Sequence, residues 1–132
     1  WEHRACLHAM LTELGEKPRA TREFAMCVIG SVIFALCRLG GWLNLMGLGW
    51  YISMYGAGKL EQGNIKEYLV AASYARAAGY PQFVDDLLKM AEVEWDHEFY
   101  FRSKCLESKW SRYISLWMAP PARELIAREV QG

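Results

Sequence analysis

The chain has 132 residues, 53% of them hydrophobic and 14% aromatic, so a single domain with a substantial core is expected. Fifteen Lys and Arg balance fifteen Asp and Glu without a long block of one sign, which argues against a nucleic-acid partner. Four cysteines, Cys6, Cys27, Cys37 and Cys105, make no Cys-x-x-Cys pair and fall in helical patterns. They argue against a structural zinc site and read as reduced, buried thiols of a reducing, cytoplasmic compartment.

Residues 1–14 carry Ala5, Leu7, Met10, Leu11 and Leu14 at helical spacing, and Gly15-Glu16-Lys17-Pro18 ends that helix. The first residue is Trp rather than Met, and a further segment is expected upstream. A second helix is expected over 22–39 with Thr21 as its N-cap. Its stretch 25–37 is apolar almost all round, yet it reaches only about 20 Å at ~1.5 Å per residue, short of a bilayer core of ~30 Å. No simple transmembrane helix is assigned to it. The stretch 40–58 is rich in Trp, Leu, Met and Tyr but also in glycine, which predicts a kink or connection near Gly40-Gly41.

A long helix is expected from Glu61 to about Ala78, with Tyr68, Leu69, Ala72 and Ala75 continuing the face of Glu61. Gly79-Tyr80-Pro81 stops it, the Gly as a C-terminal cap and the Pro as the start of the next helix. From Gln82 to about Trp110, Val84, Leu87, Leu88, Ala91, Trp95 and Phe101 form one stripe, with Glu94 and His97 on or beside it. Ala119-Pro120-Pro121 breaks the chain, and Arg123–Val130 reads as a short amphipathic cap. Residues 111–132 are then a C-terminal extension of a single domain over 1–132. No segment alternates with the period of a strand, so the fold class is all-α and the topology an antiparallel helical bundle.

The chemistry-bearing phrase is Glu94-Trp95-Asp96-His97. Residues three apart on a helix are neighbours, so Glu94 and His97 can converge on one metal ion. The chain opens on a related phrase, Trp1-Glu2-His3. Glu61 lies eighteen residues before Gly79 and Glu94 fifteen after it, about 27 Å and 23 Å along two antiparallel helices at ~1.5 Å per residue. The two carboxylates therefore sit at similar height. On apolar stripes they need a proton, a cation or a metal, because burying a bare carboxylate costs several kcal/mol, of order ~3–5 when a partner is removed.

In these residues the sequence resembles the ferritin-like di-iron carboxylate proteins, and among them the demethoxyubiquinone hydroxylase group, whose ligand order along four helices is Glu, Glu-x-x-His, Glu, Glu-x-x-His. The resemblance spans roughly residues 1–108. It makes Glu61 the third-helix ligand, Glu94 and His97 the last Glu-x-x-His, and His3 the histidine of the earlier one. Tyr68, seven residues after Glu61, takes the place of that group's tyrosine near the iron, and Lys17-Pro18-Arg19 matches a basic residue and Pro after its second helix. The first helix and the Glu partnering His3 would lie outside this chain, supplied by an upstream segment or a partner, or within a homo-oligomer.

The resemblance implies a ferritin-like bundle with two iron ions per site, manganese or a mixed metal being the variants. It also implies an oxygenase or hydroxylase that uses O₂ on an apolar, quinone-like substrate, with Tyr68 as an electron or proton relay. Asp96 is either an imidazole-orienting group or a surface residue. The apolar stretch 25–55 has two readings of similar weight, a buried layer of the bundle or a peripheral membrane contact, and Met46 and Met54 are read as gap-filling core. The alternative function is a non-catalytic helical interaction subunit of a larger membrane-associated complex.

Overall fold

The computed structural model describes residues 2–42 and 47–129, with the backbone alone for 40–42, 127 and 129. Five helices occupy these residues: α1 (Glu2–Glu13), α2 (Ala20–Trp42), α3 (Leu48–Ala77), α4 (Val84–Glu107) and α5 (Arg123–Glu129). No strand occurs among the described residues, and short 3-10 turns at Pro81–Phe83 and Lys109–Arg112 flank α4. The chain divides into two compact units, residues 1–50 and 51–132.

In the first unit, α1 ends at Gly15, whose φ of +69° is open to glycine at no steric cost. The Glu16 N–H reaches back to the Leu11 carbonyl at 2.8 Å and the Gly15 N–H to that of Thr12 at 3.0 Å, closing the last turn. α2 starts earlier than expected: the Arg19 carbonyl already accepts the N–H groups of Arg22 and Glu23, so Thr21 lies inside the helix and is not its cap. The helix also runs through Gly40-Gly41 to Trp42, placing the break between α2 and α3 a few residues later than the glycines indicated. Cys27 and Cys37 stand on α2 and are exposed and Cys6 is half-buried, which corrects the expectation of four buried thiols; Cys105 alone of the four is buried.

The second unit is built on the antiparallel pair α3 and α4. α3 is longer than expected, because it begins at Leu48 and carries Gly56, Gly58 and Gly63 within it. Each interior glycine costs roughly 1 kcal/mol relative to Ala, so packing must compensate. At Gly58 it does: the missing side chain lets the Trp117 indole lie directly on the α3 backbone, and a Cβ there would run into the ring and come within 3.0 Å of the Phe101 Cβ. Gly79 (φ +82°) ends the α3 region, with the Tyr80 N–H returning to the Ala75 carbonyl at 2.8 Å, and Pro81 opens the 3-10 turn that leads into α4.

Two apolar clusters hold the pair together. One joins Ile65, Ala91 and Ile126, with Tyr68, Leu69, Leu88 and Trp95 around them. The other joins Tyr51, Cys105 and Trp117, with Met54, Tyr55, Trp110, Ile114 and Leu116. Met54 therefore packs as read from the sequence, whereas Met46 lies outside the described residues. Ile126 brings α5 down onto α4, and full burial of such a side chain is worth roughly 1.5–3 kcal/mol.

Between α4 and α5 the chain crosses the helical pair as an irregular strap whose carbonyls are tied down one by one. The Tyr51 hydroxyl donates to Ile114 O (3.1 Å), Arg102 to Trp117 O (3.0 Å), Gln62 to Met118 O and the Trp95 indole to Pro121 O (2.8 Å). Non-helical backbone can lie against a core only when its polar groups are satisfied in this way. The strap's anchor is Trp117, whose indole N–H donates to Glu98 Oε1 at 2.6 Å and whose ring lies 4.9 Å from the Arg102 guanidinium carbon. Arg102 closes the triangle, with Nε and an Nη on the same Glu98 oxygen at 2.9 and 2.6 Å.

Gly58→Ala should force Trp117 off α3 and destabilise the protein by about 1–3 kcal/mol, measurable as a lower urea midpoint at unchanged slope. Glu98→Ala should cost more, about 3–5 kcal/mol, because it leaves Arg102 without its buried partner. The companion Glu98→Gln should recover part of that loss in the same measurement.

Candidate metal centre

Glu61 of α3 and Glu94 and His97 of α4 come together between the two apolar clusters. One donor atom from each side chain lies within 4.8 Å of the other two. The local reason is regular helix: three residues advance the chain by nearly one turn, so Glu94 and His97 share a face, with His97 Nδ1 3.4 Å from Glu94 Oε2. Glu61 arrives from the opposing helix because the capped reversal at Gly79 sets the two helices in the register expected from the sequence.

The three ligands differ in exposure. The Glu94 side chain is only 8% exposed, Glu61 is half-buried, and the His97 imidazole is 54% exposed. Burial and the neighbouring Glu94 carboxylate, which also hydrogen-bonds to it, push the Glu61 carboxyl up to about 8, and Asn64, donating from Nδ2 to Glu61 Oε2 at 3.1 Å, pulls the other way. The two acids thus hold a proton between them at neutral pH, the place a cation would take.

The donor set fits a metal on three counts. Two carboxylates and an imidazole are hard to borderline ligands suited to Fe(II), Mn(II) or Zn(II). Donors on one such ion at ~2.0–2.2 Å lie ~3–4 Å apart, so closing a set within 4.8 Å requires an approach of at most about 1–2 Å, which the exposed imidazole has room to make. Among the described residues no buried side-chain nitrogen or oxygen lacks a partner, so the site is a satisfied, proton-holding version of the same constellation.

The other residues singled out from the sequence are placed as follows. Tyr68 is half-buried beside Ile65, Ala91 and Ile126, about 10 Å along α3 from Glu61 at ~1.5 Å per residue, beyond ligand distance. His3 is on α1 in the first unit and is half-buried; the group of three does not include it. Asp96 points away from ligand duty, since its two oxygens take Arg123 Nε and Nη2 at 3.0 and 3.3 Å, fastening the start of α5.

Sequence reasoning passed over Glu98, the most buried acid among the described residues at 1% exposure. Its signal was present: it follows Glu94 by four, on the same stripe, and precedes Arg102 by four, the spacing of a helical ion pair. Three donors converge on its Oε1, and that is why this carboxylate belongs to the scaffold rather than to the metal group.

The raised Glu61 carboxyl has a sign that can be checked. Between about 4.5 and about 8 the folded protein holds a proton that the unfolded chain releases, so stability of the metal-free protein should fall as pH rises through that window. Urea midpoints measured across it should slope downward, and Glu61→Gln should flatten the slope.

No family model, curated protein or solved structure matches this chain, so the chemistry of the centre is read from its own geometry.

Proposed function

We propose that the α3–α4 pair binds a divalent transition metal through Glu61, Glu94 and His97, as half of the ligand set of a di-iron carboxylate centre of the ferritin-like kind. The convergence of three donor atoms within 4.8 Å, two of them carboxylates set between apolar clusters, carries this reading. Charge fixes the half: two Fe(II) ions bring four positive charges, and Glu61 with Glu94 cancels two, so further carboxylates come from outside this helical pair. Manganese in place of iron is compatible with the same donors.

In the assembled centre the function is that of an oxygenase or hydroxylase on an apolar, quinone-like substrate. When bound, reduced iron supplies O₂ activation, and the protein supplies position and electrostatics. Glu94, held on its stripe, sets the height of the site. Glu61, oriented by Asn64, would release its shared proton to solvent when the cation binds. His97 would offer its imidazole from the exposed side. Tyr68, two turns beyond Glu61 and packed in the apolar cluster there, would serve as the electron or proton relay.

The test is metal content. Protein loaded with Fe(II) or Mn(II) without oxygen should retain metal on desalting, and Glu94→Ala should lower the retained amount at least about tenfold, as loss of one of three ligands implies. Equal and negligible metal in both proteins would sink the reading.

A further inference from the structure

The largest feature outside the metal group is α2. Every described side chain from Ala20 to Leu39 is exposed. Phe24, Met26, Val28, Ile29, Val32, Ile33, Phe34 and Leu36 among them are 41–73% exposed. Their numbering spreads them round the helix, since at 100° per residue 24, 26, 28, 29, 32, 33, 34 and 36 leave no arc wider than about 80° without one of them. Between Glu23 and Arg38 the chain carries no charge.

We propose that α2 is embedded in a lipid bilayer, with acyl chains covering its whole circumference. This inference stands apart from the metal reading. The occupant follows from the pattern. A helix lying on a protein or at a membrane surface keeps a polar face, and α2 has none along this run. The span Ala20–Leu39, 20 residues with a mean hydropathy of 1.6, reaches about 30 Å at ~1.5 Å per residue, the thickness of a bilayer core, with Arg22, Glu23 and Arg38 near its ends and the uncharged 24–37 filling the central ~21 Å. The uncharged run of 25–37 looked too short alone; the helix that carries it extends at both ends.

The polar groups agree with lipid. The Ser31 hydroxyl, near the middle of the run, donates to the Cys27 carbonyl at 2.9 Å within the helix and needs no water. Charge collects at the ends, with Arg19, Arg22 and Glu23 before the run and Arg38 after it, where long side chains can reach headgroups. Arg38 lies back along the helix, its guanidinium carbon 5.9 Å from the Phe34 ring centre.

The experiment uses the full chain reconstituted into phosphatidylcholine vesicles, a neutral lipid that removes adsorption by charge. The chain should float with the vesicles and stay with them through an alkaline carbonate wash. Val32→Lys should lower the floated fraction at least about tenfold, the minimum effect of a charge at the centre of an inserted helix. Cysteine labelling keeps the test independent of how that variant folds. Cys27, and Ser31→Cys, should resist a charged maleimide in vesicles and react fully after detergent and denaturant are added. Release by carbonate, labelling of both positions in vesicles at the unfolded rate, or a discrete lipid-free oligomer in detergent-free buffer would each overturn the proposal. Metal retention, measured on the same samples, reports on α3 and α4 and is unaffected by any of these outcomes.

Discussion

The second unit depends on one buried carboxylate. Glu98 is almost fully enclosed, and its charge is tolerable because Arg102 and the Trp117 indole both donate to the same oxygen. A buried ion pair rarely adds much stability over an apolar substitute, but it fixes geometry, since any other arrangement leaves a charge unpaired. Here it fixes where Trp117 goes, and Trp117 fixes the strap. The ring fills the space over Gly58, meets Tyr55 edge-on at 5.0 Å, and brings the backbone of 114–121 within reach of Tyr51, Gln62 and Trp95.

The turn of α4 that carries the candidate metal ligands is therefore held from both sides. Glu94 and His97 face α3, while Trp95, Asp96 and Glu98 bind the strap and α5. Two acids one turn apart have opposite fates for an electrostatic reason. Glu98 has a cation four residues on, whereas Glu94 meets another acid across the interface and a half-exposed histidine on its own helix. The first pair is closed; the second is where the proposed centre would exchange a shared proton for a metal.

The first unit obeys a different constraint. Its α1 closes with a glycine-capped turn and bears an exposed Arg4–Glu23 contact at 3.5 Å to α2, of the kind worth little in water. Its α2 offers apolar surface in all directions. Apolar area on that scale is stable only when something removes it from water, which ties this segment to its surroundings as firmly as Glu98 ties the strap to the bundle.

Much of this was legible in the sequence. Absence of a two-residue period gave the all-α class, Gly15 and Gly79 marked the helix ends, and the counts on either side of Gly79 brought Glu61 level with Glu94, because helical rise is constant. What sequence alone determined was thus periodic and local: element type, helix ends, and which residues share a face. The tertiary structure decided the rest. It let α3 continue through its glycines, gave Glu98 to the scaffold and Asp96 to Arg123, and left α2 exposed on every side. Those outcomes depend on which side chain arrives from a distant segment, such as Trp117 over Gly58, and no local pattern encodes that meeting.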